Sequence, residues 1–355
     1  MTIASATIRS RTIGGYNRLD ANFYTSPGVA ASERVGLLEA SGMQVLALGV
    51  LAGRVWDPAR FARTYATPQE SSEPYLRPYD AFDYVPAAAD RLSLTRNSSL
   101  EDLRLRPGMI LQTCSGRNLG PSAVVDEVLA GYTLSHDMIR IEIDDPQVRF
   151  YVATFLQTPT GQALLRRNMS GSVIDHLTVP DVKGVPVPFV SVGLRNRISQ
   201  LMEEATYKAQ RARRDLLQLA ELMQNSMPMP SAEGLGRHGW TLTSHAVGSR
   251  LDAAYHDPLV AIVREQMRCA GGHAVSEWAR AIKPPRYRRF YVAEGHGRPV
   301  LSGRQLLQAR PINLRYVSDR SFKNSSDYEL TTGMIIFGGV GRAEGRGTCQ
   351  PFRGS

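Results

Sequence analysis

Arginines set among aromatic residues are the side chains here best suited to chemistry. Arg60 and Arg63 flank Phe61 and precede Tyr65, and Arg286, Arg288 and Arg289 surround Tyr287 ahead of Tyr291. A guanidinium fork matches both phosphate oxygens and the O6/N7 edge of guanine. Aromatic neighbours such as Tyr287 and Tyr291 support such forks by packing. The same segments also read as strands with solvated arginines. Arg117 and Arg342 each follow a glycine in a Gly-rich turn, where backbone amides free of side chains approach phosphate closely. Ser115 and Asn118 add polar groups there, and Arg77 and Lys283 complete the candidate set. The chemistry these residues suggest is binding to an anionic polymer. A formal net charge of +9 agrees, since a basic excess favours an anionic partner and nucleic acid is the commonest.

Groups arranged for catalysis are not legible. Gly338-Gly339-Val340-Gly341 follows an apolar run but lacks the lysine and hydroxyl of a phosphate loop, and Glu344 breaks the dinucleotide pattern. Asp144 and Asp145 are adjacent rather than placed to flank a substrate. Asp181-Val182-Lys183 lacks the spacing of a metal-nuclease cluster, and the seven histidines show no ligand pattern. His136 stands in a Ser-His-Asp run, but sequence adjacency is not triad geometry, so it reads as a surface histidine. Cys114, Cys269 and Cys349 are far apart and odd in number, which makes no disulfide framework and suits a reducing compartment. The N-terminus lacks an apolar signal core and no stretch is apolar enough to span a bilayer. A cytoplasmic protein without membrane contact, metal or cofactor is expected.

The elements that must position these residues come twice. With 355 residues the chain exceeds what one ordinary core serves. Arg18-Leu19-Asp20-Ala21 returns as Arg250-Leu251-Asp252-Ala253. The segment Pro58-x-Arg60-Phe61-x-Arg63-x-Tyr65 returns as Pro284-x-Arg286-Tyr287-x-Arg289-x-Tyr291, and Pro74-x-Leu76 as Pro299-x-Leu301. Leu105-x-x-Gly108-Met109-Ile110, then Gly116-Arg117-x-x-Gly120, returns as Leu330-x-x-Gly333-Met334-Ile335, then Gly341-Arg342-x-x-Gly345. The four blocks keep their order at offsets of 232, 226, 225 and 225, which coincidence does not supply. The second copy reaches only the equivalent of Ala130, so its last strand and helices are expected to be missing, through a natural short form or an incomplete chain.

Between the copies lies a long helix. Ile198, Met202, Ala205, Ala209, Ala212, Leu216, Leu219 and Met223 recur in steps of four and three, the seam of a coiled coil. It is roughly 38 Å long at 1.5 Å per residue, and its central alanines admit a partner helix closely. The expected organisation is a first recognition domain at 1–193, a spacer helix at 194–227, a linker at 228–239 and an incomplete second domain at 240–355. The expected fold class is mixed α/β (α+β), two tandem domains with twisted sheets joined by that helix.

Taken in order, these motifs resemble one family, the specificity subunit of type I restriction–modification enzymes. The resemblance rests on Arg18 to Asp20, Arg60 to Tyr65, Pro74 to Leu76, Gly108 to Ile110, Gly131-Tyr132-x-Leu134-Ser135, Phe155-Leu156 with Gly161, Gly171-Ser172, Val179-Pro180 and the basic heptad helix. It covers almost the whole chain, through motif order and duplication rather than any single motif. It implies a non-catalytic subunit whose two domains each read half of a gapped site on double-stranded DNA. It also implies long helices that bind methyltransferase subunits, a separate restriction/translocase subunit, and S-adenosylmethionine held by the methyltransferase. The roughly 38 Å spacer is close to the roughly 34–36 Å of one DNA turn. Where the family's C-terminal helix would pack, the seam is expected to pair with methyltransferase helices, a separate C-terminal fragment, or a second copy of this chain as a homodimer. A coiled-coil scaffold is the alternative reading.

Overall fold

The computed structural model describes residues 7, 8, 10, 13, 14, 21–97, 100–115, 120–167, 176–227, 240–248, 251, 253–303, 305–308, 310, 311, 314–337 and 349–351. Arg18 to Asp20, Arg117, Asn118, Gly171-Ser172, the 228–239 linker, Arg250, Asp252, Gly338 to Gly341 and Arg342 lie outside the described residues.

Helix Pro27–Ala40 (α1) opens the first copy, followed by strands Val45–Ala47 (β1), Arg54–Trp56 (β2), Ser72–Leu76 (β3), Asp90–Ser93 (β4), Ile110–Thr113 (β5), Ser122–Val124 (β6), Thr133–Leu134 (β7) and Met138–Glu142 (β8). Helices Pro146–Gln157 (α2), Pro159–Arg166 (α3) and Val179–Lys183 (α4), strand Pro186–Pro188 (β9) and the long helix Val192–Ser226 (α5) follow. The mixed α+β class expected from sequence is what the structure shows. One sheet has the order β2-β8-β5-β6 and another β4-β3-β7.

Strand periodicity explains why the first sheet carries near-continuous apolar runs. Alternate side chains point to opposite faces, and both faces are covered. Ile110, Ile139 and Ile141 enter a core with Val152, Leu156, Leu164 and Leu165 of the helices. Leu111 and Met138 enter a second core with Leu76, Leu105 and Leu134. Burial of each such side chain stabilises on the order of 1.5–3 kcal/mol. Short polar residues fix the helix starts. Asp145 caps α2 by accepting from Gln147 N at 2.8 Å, with Pro146 at the first turn. Thr178 and Asp181 form a capping box on α4, so Asp145 and Asp181 serve helix starts. Gly161 is required because a Cβ there would lie 2.1 Å from the Phe155 carbonyl oxygen. The Phe-Leu-x-x-x-x-Gly pattern is thus the tight α2–α3 corner.

The duplication reappears as structure. Strands Tyr291–Val292 (β10), Arg298–Val300 (β11) and Arg315–Val317 (β12) form a sheet in the order β10-β12-β11. In β3–β4, Glu73 faces Leu92 and Pro74 faces Arg91; in β11–β12, Arg298 faces Val317 and Pro299 faces Tyr316. Each second-copy residue is its first-copy counterpart shifted by 225. The Tyr65 to Leu92 bridge returns as the pairing of Tyr291 with Val317. The 3-10 turns Asp80–Phe82 and Gln305–Leu307 correspond as well. Before strand Ile335–Phe337 (β13), which pairs with Cys349–Pro351 (β14), Gly333 has φ 94°, and Gly108 before β5 has φ 85°. Only glycine adopts that backbone without strain. The turn is the same to the atom: Met109 Sδ accepts from Arg106 N, and Met334 Sδ from Thr331 N, each at 3.4 Å. Helix Pro258–Cys269 (α6) and α1 both start on a proline, but only α6 has a side-chain cap, from Asp257; Ser26 makes none.

The chain divides into two units. The first takes in 1–214, 291–318 and 330–355; the second takes in 215–290 and 319–329. Within the first unit, Asp83 bridges Gln308, its own repeat equivalent.

Candidate nucleic-acid interface

Each basic-aromatic segment is built around one anchored ring. Phe61 packs on the cluster of Tyr75, Leu92, Leu100 and Leu103. Its counterpart Tyr287 packs on Phe322 and Tyr328, with ring centroids 4.9 and 4.7 Å away. The flanking arginines are left exposed in both copies. The Tyr287 ring lies beside one fork, that of Arg289, whose guanidinium stands 5.6 Å from its centroid. Tyr291 does likewise for a different arginine, Arg315, whose guanidinium lies 5.1 Å from its ring centroid.

The structure brings Arg60 and Arg63 together around the β7–β8 turn. Arg63 Nη2 lies 3.2 Å from His136 Nδ1 and 4.0 Å from Asp137 Oδ2, and its guanidinium stands 5.8 Å from the Tyr75 ring centroid. His136 Nε2 lies 3.3 Å from Asp137 Oδ1, and the His136 side chain is only 12% exposed. The reading of His136 as a surface histidine is corrected: the turn folds it inward against Arg63. Burial lowers its pKa, Asp137 opposes this, and Arg63, Arg60 and Arg140 lower it further. The turn itself is held by Arg140, fully buried on β8, which donates to the carbonyls of Leu134, Ser135 and Met138. Burial pulls the Arg140 guanidinium down to about 10, still charged at neutral pH. Burial likewise pushes the nearby Cys114 thiol up to about 11, so it is uncharged at neutral pH. Ser115, next along the chain, is half-buried and bridges His176.

Acidic partners sort the remaining arginines. Arg60 makes no hydrogen bond or ion pair with another described residue. Arg77 is held by Asp90 at 2.7 Å, and Arg54, Arg96, Arg104 and Arg106 are each paired with a carboxylate as well. Among the second-copy candidates, Lys283 and Arg286 are exposed, Arg288 stands 5.0 Å from the Phe290 ring centroid and Arg289 5.6 Å from that of Tyr287.

Helix α5 divides the seam residues between two surroundings. Ile198 and Met202 pack against the first copy's core. Ser199 donates to Gln147 O at 2.6 Å, and Arg213 pairs with buried Asp126 and donates to Tyr84 O at 3.1 Å. Ala205, Ala209, Ala212, Leu216, Leu219 and Met223 are exposed, and Leu194 and Leu201 join them on the same side. Sequence spacing missed Leu194, Leu201 and the clamp at Arg213. A step of three or four admits either 201 or 202, and spacing alone does not choose.

No protein-family model matches the chain. No curated protein matches it either. Solved structures do. One, described as the basis of complex assembly and conformational transition of the type I R-M system, is 15% identical with a TM-score of 0.34, covering 61% of this chain and 53% of that one. The HsdS subunit from Thermoanaerobacter tengcongensis is 15% identical with a TM-score of 0.32, covering 52% and 46%. The type IIG restriction endonuclease BpuSI is 10% identical with a TM-score of 0.37, covering 56% and 30%. Type I specificity subunits are thus among the structures this chain is similar to, distantly. The chain spans about half the length of the first two.

Proposed function

We propose that the chain is a non-catalytic subunit that reads double-stranded DNA and directs a methyltransferase and a restriction/translocase subunit to a two-part, gapped site. The observation that carries this reading is the duplication. One hairpin register, one Gly-Met turn and one anchored ring with exposed arginines occur twice, while the residues between them differ. A repeated frame with divergent surfaces suits two half-sites of different sequence. On this reading 1–193 and 240–355 are the recognition domains, 194–227 the spacer and 228–239 the linker. Arg60, Arg63, Arg77, Ser115, Arg117, Asn118, Lys283, Arg286, Arg288, Arg289 and Arg342 supply the DNA contacts. S-adenosylmethionine binds the methyltransferase, and the complex works in the cytoplasm. No described helix is long and apolar enough to cross a membrane.

The exposed stripe of α5 supports a helical partner, because contiguous apolar surface marks an interaction site. Methyltransferase helices are the partner on the main reading. The same stripe favours a second reading, in which two copies pair and the resulting two-fold reader takes a palindrome.

Mapping methylated bases genome-wide in cells carrying the cognate methyltransferase, with and without this chain, tests both. A gapped motif that appears only with the chain is expected. An asymmetric motif means that both domains read, and a palindrome means that two copies of the first domain do. Methylation that ignores the chain overturns the proposal.

A further inference from the structure

The Ser135-His136-Asp137 turn was set aside for catalysis, yet there a candidate arginine, Arg63, meets a histidine ring. An arginine guanidinium has donors and no acceptor. With Arg63 Nη2 at 3.2 Å, His136 Nδ1 must be the accepting nitrogen. The proton of the neutral ring then sits on Nε2, which faces Asp137 Oδ1 at 3.3 Å. Asp137 therefore fixes the tautomer, and the tautomer holds Arg63. This hydrogen bond uses one of the five guanidinium donors, and the Arg63 side chain stays 33% exposed. The fork is tethered at one corner, with donors left for an anion.

We propose that neutral His136 is the positioning residue for Arg63, orienting its guanidinium toward phosphate or guanine, and that protonation of His136 releases it. A second ring proton lands on Nδ1, which turns the acceptor into a donor facing a cation. Arg63 must then swing away, and the surface gains a positive charge beside Arg60. The groups facing the ring are Arg63 and Arg60 from the β2–β3 connection, Asp137 from its own turn and Arg140 from β8. Tyr75 of β3 lies under Arg63. Burial and the three arginines outweigh Asp137 and keep the ring uncharged at neutral pH, so the tether is closed there and opens on acidification. The tether stands on geometry alone; its effect on DNA rests on the function proposed above.

Two readouts keep these apart. Ring-labelled histidine NMR on the full chain is expected to show His136 as the Nε2-protonated tautomer, titrating below the usual histidine range. Arg63→Gln is expected to raise that titration point by removing a facing cation. An Nδ1-protonated ring, or a titration unmoved by Arg63→Gln, overturns the tether. The second readout is binding of a random-sequence DNA duplex against salt concentration, above and below the His136 titration. Above the titration, Arg63→Gln is expected to reduce the log–log salt slope by about 0.9, the share of one phosphate contact. Below it, with Arg63 released, that reduction is expected to shrink, whereas in a His136→Gln background it stays the same at both pH values. Glutamine can accept from Arg63 and donate to Asp137 but cannot take the proton. An Arg63→Gln effect that is the same above and below the titration in the wild-type background overturns the coupling to DNA. Expected NMR behaviour without DNA affinity at any pH upholds the tether and overturns the DNA-reading function.

Discussion

An arginine already satisfied by a carboxylate must break that pair before it can take a phosphate. By this test Arg60 and Arg77, equal candidates in the sequence, part company. Arg77 donates to Asp90 at 2.7 Å, while Arg60 is exposed with no acidic partner among the described residues. If the chain binds DNA as proposed, Arg60→Ala is expected to weaken duplex binding about tenfold, on the order of 1.5 kcal/mol, and to lower the salt slope by about one. Arg77→Ala is expected to cost less, because its contact would come at the expense of the Asp90 pair. Fluorescence anisotropy at several salt concentrations measures both, and an equal loss from the two would refute the sorting. Burial sorts cysteines in the same way. With its thiol pushed up to about 11, Cys114 has almost no thiolate at pH 8 and little access to reagent. Cys269 is exposed. Peptide mapping after brief iodoacetamide treatment of the native protein is expected to find Cys269 alkylated and Cys114 intact; label on Cys114 at a comparable rate would contradict its burial.

A helix that serves its own domain and a partner must give each a different face, and α5 separates them between neighbouring residues. Met202 packs on the first copy's core while Leu201 is 48% exposed. Met202→Asp is therefore expected to lower stability by about 1–3 kcal/mol in urea unfolding, whereas Leu201→Asp stays within about 0.5 kcal/mol. Leu201→Asp should instead abolish co-purification with the helical partner of the stripe. If Leu201→Asp proves the more destabilising, the faces have been assigned the wrong way round. The extent of this helix and the repetition of the Gly-Met-Ile and Pro-x-Leu segments were legible in the sequence, because periodicity and internal repeats are read directly from residue order. The Arg63–His136 contact was not. It joins residues 73 apart in sequence, and nothing local marks a pairing made by the fold. Nor did the motif at Gly108 and Gly333 reveal how differently its two copies are buried.

That difference belongs to the whole molecule. Gly108-Met109-Ile110 and Gly333-Met334-Ile335 have the same sequence and the same turn, yet Ile110 is 0% exposed and Ile335 71%. The reason is what surrounds each strand. Strand β5 lies between β6 and β8, with α2 and α3 supplying apolar side chains over one face. Strand β13 pairs only with β14 among the described residues, and Phe337 is also exposed. Burial, not identity, sets the cost of truncation. Ile110→Ala should thus lose about 2–5 kcal/mol, and Ile335→Ala no more than about 0.5 kcal/mol. Native-state hydrogen exchange should give the same order, with Ile110 and Leu111 amides opening only with the global transition and Ile335 and Ile336 amides exchanging through local opening. The pair of variants is its own control, since the side-chain change is identical. Equal losses would mean that β13 is covered in solution. Repeating the urea series at tenfold dilution then separates the sources, because cover supplied by a second copy weakens with dilution and cover from within the chain does not.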